Sequence, residues 1–386
     1  MKYDPSPMRF GVLSLRKCYA IQTRAFILTI AWMSLLIIYS LSGGMSTAQA
    51  QTRAYVSNVC SNTVTVIDTA TNAVIATIPV GINPIGVAIT PDGTRAYVTN
   101  AKSNTVSVID TATNQVIANI PVGLDPFLLA VTPDGTRVYV ANQSSHTVSV
   151  IDTATNLVTA NIPVGSFPLA VVITPDGTRA YVANLSSPTI SVIATATNQV
   201  VATLPVGINP SGLAITPDGS RLYVTIQVLG IVSVIDTATN LVTVNISVGP
   251  IPIGLAITPD GTRAYVANAG PDTVSVIDTA TNQVIATIPV GNVPSEVAIT
   301  PDGTRAYVTN QFDNTISVIN TATNQVIATI ASGGNCAFGI AITPAPRVPM
   351  NKDECKNGGY RNFGPPAGPF RNQGQCVSYV QTHAHH

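Results

Sequence analysis

The chain has 386 residues, of which only 9% are charged, well below the roughly 25% of an ordinary soluble domain. Its 18 basic and 18 acidic residues cancel, and no basic cluster offers a face to nucleic acid. Abundant Val, Ile, Thr, Ala and Asn is instead the chemistry of β-sheet under a neutral polar surface.

Residues 1–50 read as a targeting segment. Scattered positive charge (Lys2, Arg9, Arg16, Lys17, Arg24) precedes the apolar run "AFILTIAWMSLLIIYSL" from Ala25 to Leu41, and Ala48-Gln49-Ala50 has the small-residue pattern of a cleavage site before Gln51. The pattern predicts a secretory signal peptide and hence an exported protein, periplasmic, cell-surface or extracellular. The rival reading is an uncleaved membrane anchor, and Met8 is a second candidate start. Removal of the leader leaves 13 basic against 17 acidic residues, a net charge of −4.

From residue 51 the chain repeats. Tyr55, Tyr97, Tyr139, Tyr181, Tyr223, Tyr265 and Tyr307 follow one another at intervals of 42 residues. Residues 86–122 show the unit: "GVAIT", "RAYVT", "TVSVID" and "QVIANIPV" are four short β-rich segments, divided by "PDG", a variable loop and "TATN". Four strands in about 42 residues is the make-up of a propeller blade. Asp-Gly between two strands is a hairpin signal, because Gly takes positive φ without a Cβ penalty.

The ends of the array argue for a ring. The repeats open on a second strand, "TRAYVSN", and close on a lone first strand, "GIAITP" at Gly339–Pro344. A ring joins that last strand to the three opening ones, making blade 1 from both ends, whereas an open β-helix has no reason to start and stop inside a unit. The expected fold is all-β: a seven-bladed, ring-closed β-propeller over residues 51–345.

The segments "YVTN", "PDGTRAYV" and "NTVSVIDTATNQVIATIPVG" resemble the YVTN-type β-propeller repeats of exported and surface-layer-associated prokaryotic proteins, over about residues 52–345. The resemblance implies a propeller and an envelope or extracellular setting. It carries no shared catalytic residues.

Because each blade meets two like neighbours, the Tyr and the apolar strand residues are expected to form the interblade core. Arg53, Arg95, Arg137, Arg179, Arg221, Arg263 and Arg305 recur near Asp68, Asp110, Asp152, Asp236 and Asp278, which suggests ion pairs within each blade. Blades 4 and 7 have Ala194 and Asn320 at the Asp position.

Outside the leader stand Cys60, Cys336, Cys355 and Cys376, an even number suited to an exported chain. Cys60 follows the second strand of blade 1 and Cys336 precedes its first strand, so alternating strand directions put both on one face. A Cys60–Cys336 disulfide is expected to fasten the ring, contributing about 2 to 5 kcal/mol; two buried free thiols are the alternative. The Cys336 loop is one residue longer than its counterparts ("ASGGNCAFG" against "PVGNVPSE"). Residues 346–386 form a Gly-, Pro- and Asn-rich tail bracketed by Cys355 and Cys376, expected as one small disulfide loop. The tail looks like a short module appended to some exported bacterial proteins. His383, His385 and His386 fit a frayed end better than a metal site.

The "PDGT" and "TATN" turns are nearly constant, whereas the other two loop sets vary: "VCSN", "AKSN", "QSSH", "LSSP", "QVLG", "AGPD", "QFDN", and "INPIG", "LDPFL", "SFPLA", "INPSG", "PIPIG", "NVPSE". Binding tends to reside on loops of a rigid scaffold. Asp125, Phe127, His146, Phe167, Glu296 and Phe312 are therefore the candidate ligand-binding residues, Glu296 being placed to face the mouth of the central channel. No C-x-x-C-H haem site, P-loop or G-x-G-x-x-G before a helix occurs, so no cofactor, metal or catalytic residue is assigned. Asn142, Asn184 and Asn245 begin glycosylation sequons. The expected function is binding of a cell-envelope protein or glycan. The runner-up is a lactonase- or lyase-like enzyme on a small sugar-derived substrate, and a third reading is an accessory subunit of a periplasmic redox enzyme.

Overall fold

The computed structural model describes residues 52–345. The leader, the tail with Cys355 and Cys376, and the terminal histidines lie outside the described residues.

The described residues form seven four-stranded antiparallel sheets. In blade 2 the strands are Pro84–Ile89, Arg95–Asn100, Thr105–Asp110 and Gln115–Pro121, and the other blades repeat this order. Blade 1 combines Ala337–Ile342 with Arg53–Asn58, Thr63–Asp68 and Ala73–Pro79. Its joint pairs Ala54 with Ile342 and Tyr55 with Ala341, so the ring closes by strand pairing. The first strands of successive blades touch one another all the way round and enclose the central channel. Among the described residues no helix is long and apolar enough to cross a membrane.

Burial follows from this stacking. The second and third strands are buried along nearly their whole length, because both their faces meet a neighbouring blade. The fourth strand is the outer edge, with mostly exposed or half-buried residues. Each core cluster therefore spans two blades: Tyr55, Val64, Val66 and Ile78 of blade 1 pack on Ala96, Val98 and Ile109 of blade 2. Tyr307, Ile316, Val318 and Ile330 of blade 7 pack on Ala54, Val56, Ile67, Ala337 and Ile340 of blade 1, so the seam has the same apolar joint as the rest.

The repeated polar residues hold one blade to the next. The Tyr55 hydroxyl donates to Asn114 Oδ1 of blade 2 at 3.0 Å, Tyr139 to Asn198 at 2.8 Å, and Tyr307 to Asn72 across the seam at 2.8 Å. Each accepting Asn ends a "TATN" turn in the left-handed region, for example Asn72 at φ 58° and Asn114 at φ 55°, which Asn tolerates better than most residues. Burial pushes most of these Tyr hydroxyls above their ordinary pKa.

The arginines correct the expected ion pairs. Arg53 and Asp68 are opposite in register, yet Arg53 Nη1 donates to the Thr111 carbonyl of blade 2 at 2.8 Å, and Arg137 Nη1 to the Thr195 carbonyl of blade 4 at 2.7 Å. Meanwhile Asp68 Oδ1 accepts the backbone N–H groups of Ala70 and Thr71 within its own turn. The Arg is thus an interblade tie to a backbone acceptor, and Ala194 costs blade 4 a turn cap rather than a salt bridge. Asn320 supplies the same cap to Thr323.

In the "PDG" turns, Gly93 sits at φ 72°, and Asp92 accepts from the Thr90 hydroxyl and the Thr94 N–H. The equivalent Asp218 is held to a pKa of about 2, chiefly by the Thr216 hydroxyl.

Candidate functional site

The loop before each first strand and the loop between the second and third strands share one face, opposite the "PDG" turns. Although their sequences vary, they interlock by a common scheme. One residue before each first strand adopts positive φ, and in five blades its N–H is accepted by a side chain from the preceding blade, as Asn83 by Asn62 at 2.9 Å, Asp125 by Asn104 at 2.9 Å and Val293 by Asp272 at 2.8 Å; blades 5 and 6 have Pro188 and Gly230 at the accepting position. Cys336 joins the scheme through Asn314 at 2.6 Å, with Gly333 at φ 72° taking up the extra residue of that loop.

This scheme assigns a position to each candidate. His146 Nδ1 accepts the Phe167 N–H at 3.1 Å, and the two rings lie 5.4 Å apart; His146 fills the place that Asn62 and Asn104 hold elsewhere. Asp125 is half-buried and accepts from the Ser144 hydroxyl at 3.2 Å. Phe312 is exposed on blade 7, apart from the His146–Phe167 pair. The structure therefore brings His146 and Phe167 together and places Phe127 and Glu296 on the channel-lining strands.

Phe127, from blade 3, meets Phe338, from blade 1, edge-on at 5.6 Å, reaching past blade 2. Phe338 was missed in the sequence because the one-residue insertion before Cys336 hides its equivalence to Phe127. The disulfide joins Cys60 to Cys336, 276 residues apart, with their Cα atoms 5.5 Å from each other. Two of the three sequons are closed: Asn142 and Asn184 are fully buried, each Nδ2 donating to neighbouring hydroxyls, so neither is open to glycosylation in the folded chain. Asn245 is exposed.

Exposed apolar side chains stand on the loop face: Ile82, Leu124, Phe167, Ile208, Ile251 and Phe312. Ile251 has φ 53° and Val293 φ 53°, a region that costs a β-branched residue about 1 to 2 kcal/mol.

Within the ring, the channel narrows to a cavity of about 140 Å³ lined by residues of all seven blades, including Val87, Leu129, Val171, Leu213 and Ile340. Among its lining residues Glu296 is the one that titrates. Its side chain is half-buried and lines the cavity. Desolvation alone pushes its pKa up to about 8. At neutral pH it is largely an uncharged acid. Among the described residues no group of three or more His, Cys, Asp or Glu side chains is placed to hold a metal ion.

Comparisons with known proteins agree with this architecture. The model of the YNCE-like β-propeller family matches residues 37–137. No curated protein matches the chain at a meaningful level. Among solved structures, Kuenenia stuttgartiensis hydrazine synthase is 27% identical with a TM-score of 0.64, over 69% of this chain and 92% of its own. A Bacteroides fragilis protein described as a putative 6-phosphogluconolactonase is 19% identical with a TM-score of 0.66, over 78% of this chain and 99% of its own. The dihydro-heme d1 dehydrogenase NirN is 20% identical with a TM-score of 0.58, over 72% of this chain and 63% of its own. The last two likenesses are of fold alone.

Proposed function

Since the chain is a seven-bladed β-propeller of YVTN-type repeats, we propose that it is an exported, non-enzymatic binding module whose partner, a protein or glycan of the cell envelope, docks on the loop face. The observation that carries this reading is the set of exposed apolar side chains on loops that are mutually hydrogen-bonded. Leu124, Phe167, Ile251 and Phe312 lie open to solvent, while the backbone beneath them is fixed, the Leu124 N–H by Ser145 Oγ at 2.6 Å and the Phe167 N–H by His146. A preorganised apolar surface binds without the entropy cost of ordering loops. Its composition favours a protein surface over a glycan. The Cys60–Cys336 disulfide and the leader support export, since such bonds persist in oxidising compartments.

A second reading, an enzyme working in the channel, draws on the putative lactonase likeness and on Glu296 as a candidate acid with a pKa near neutrality. It asks more of the site, because hydrolysis needs an activated nucleophile beside the acid.

The test is capture of native envelope extract on residues 51–386, beside a loop-face variant (Leu124, Phe167 and Phe312 to Ala) and an opposite-face variant (Asp134→Ala). The expected result is one component retained by the parent and the opposite-face variant and lost by the loop-face variant. Equal retention by all three overturns the reading.

A further inference from the structure

Blade 4 breaks the repeat on the face that carries the "PDG" turns. In five blades the Asp that ends the third strand caps the "TATN" turn after it. Asp152 Oδ1 accepts the Thr155 N–H and the Thr155 hydroxyl, both at 2.8 Å, and Asp110 and Asp236 do the same at the same distances. Asp68 and Asp278 also accept the N–H of the Ala in the turn, Ala70 and Ala280. These donors favour the charged form. They hold Asp110, Asp236 and Asp278 below the ordinary carboxylate range, the N–H groups of Thr113, Thr239 and Thr281 first among them. Blade 7 keeps the cap through the amide oxygen of Asn320.

Blade 4 has the donors without the acceptor. Its turn is again Thr195-Ala196-Thr197-Asn198, but Ala194 stands at the Asp position. Among the described residues the Ala196 N–H and the Thr197 hydroxyl make no hydrogen bond, and the Thr197 N–H reaches only the Ala194 carbonyl, at 3.3 Å. Ala196 and Thr197 are both exposed, so a ligand can reach all three donors. Arg179, opposite Ala194 in register, ties to the Thr237 carbonyl of blade 5. The guanidinium at this turn is Arg137 of blade 3, held through Nη1 to the Thr195 carbonyl at 2.7 Å.

Beside the turn lies a recess of about 490 Å³ between blades 3 and 4, whose lining includes Arg137, Thr195, Ala196, Asp134 and Asp176. The equivalent recess between blades 4 and 5, next to the turn that Asp236 caps, is about 190 Å³. Donors that hold a carboxylate in the sister turns, next to a guanidinium, select an anion. Asp134 and Asp176 limit its charge. The Thr132 and Thr174 hydroxyls keep these two carboxyls below their ordinary range, so both are ionised and oppose a second negative charge in the same recess. A single carboxylate therefore fits better than a phosphate, and the recess has room for the body of a small acid.

We propose that the "TATN" turn of blade 4 is a subsite for a small free monocarboxylate. Its carboxylate takes the place that the Asp side chain holds in five sister blades, accepting from the Ala196 N–H, the Thr197 N–H and the Thr197 hydroxyl, with Arg137 alongside. The subsite lies on the face opposite the docking loops and stands independently of the binding-module reading.

The experiment is amide NMR of residues 51–386 at pH 7, titrated with sodium acetate against sodium chloride at equal ionic strength. Sodium phosphate and Nα-acetyl-aspartate N-methylamide are further probes. Acetate is expected to shift the Ala196 and Thr197 amides saturably, with a dissociation constant on the order of 1 to 10 mM, and to leave Ala154 and Thr155 of the capped blade 3 turn unmoved. Acetate should also raise the Tm of the parent above that in chloride. Ala194→Asp and Ala194→Asn supply the cap from within, as Asp152 and Asn320 do, and each should weaken acetate binding about tenfold or more. The Asn variant adds no charge, so its loss of binding reports an occupied cap rather than repulsion. No shift at Ala196, an equal response to chloride, equal shifts at Ala154 and Thr155, unchanged binding by both variants, or phosphate binding as tight as acetate overturns the proposal. Tighter binding of the aspartate amide than of acetate overturns the free-acid source.

Discussion

The half-buried Glu296 carboxyl makes the stability of the ring depend on pH in a direction opposite to that of its surface aspartates. Glu296 has a folded-state pKa of about 8 against an ordinary 4.5, so between these values the folded chain holds a proton that the unfolded chain releases. Stability is therefore fully present below pH 4.5, falls as pH rises, and levels off above pH 8. Without screening by solvent the loss is under about 1 kcal/mol at pH 5, about 3 at pH 7 and about 5 at pH 9. Water in the channel reduces these figures by up to about half, because part of the side chain faces the lumen. The strands packed on Glu296 carry Arg263, Tyr265, Arg305 and Tyr307, which lie toward the "PDG" end and tie to the next blade. The perturbation is Glu296→Gln, which keeps shape and removes the titration. Urea unfolding of parent and variant at pH 5, 7 and 9 should show the variant's advantage growing from near zero to about 2 to 5 kcal/mol. The difference between the two proteins cancels the other titrating groups. A constant advantage across the three pH values would refute the desolvation argument.

Three further outcomes follow from particular residues. Replacing Cys60 and Cys336 by Ala should lower unfolding stability by about 2 to 5 kcal/mol and raise hydrogen exchange first in residues 337–342, the strand that closes the ring; uniform exchange would count against a seam. Ala194→Asp should restore the turn cap that Asp152 gives Thr155 in blade 3, raising stability by about 0.5 to 1.5 kcal/mol in urea unfolding. Ile251→Asn should stabilise by about 1 kcal/mol, because Asn tolerates the left-handed backbone that Ile251 holds at φ 53°; destabilisation would mean the exposed Ile251 side chain packs in solution.

What the sequence made legible was whatever the repeat itself encodes. Identical spacing of Tyr, "PDG" and "TATN" fixes four strands per unit, and the mid-unit start and finish fix the closure, as the pairing of Ala337–Ile342 with Arg53–Asn58 bears out. The disulfide was legible because strand direction alone decides which face a loop lies on. Partner choice was not. When five of the seven blades carry both the Arg and the facing Asp, a 42-residue period cannot distinguish a bond within a blade from one to the next, and the guanidiniums take the second. His146 stands out in one-dimensional comparison as the odd residue of its column, and only the structure shows that its Nδ1 also accepts the loop N–H that Asn accepts elsewhere. Glu296 had a signal in the sequence, an acid in a column otherwise of Gly, Ala and Leu, but that it shares one cavity with residues of all seven blades depended on the ring geometry.

A ring of near-identical blades has no preferred ligand position around its axis, so specificity requires positions where the repeat is broken. Such breaks carry a cost: a desolvated carboxyl at Glu296, left-handed Ile251 and Val293, and a longer loop at Cys336. Costs of this kind persist in a structure only where the surroundings enforce them. Here the hydrogen-bonded loops and the glycine-lined contacts between first strands do so. Glu296, Ser295 and Val293 belong to blade 7, Cys336 and Phe338 to blade 1, and Thr309 links the two sets by accepting the Glu296 N–H and donating to the Phe338 carbonyl. The seam fastened by the disulfide is thus also the sector where the channel departs furthest from symmetry. A ligand centred on the axis would meet six blades as a nearly uniform apolar collar and blade 7 as the one that supplies a carboxyl, so blade 7 alone distinguishes one orientation around the axis from another.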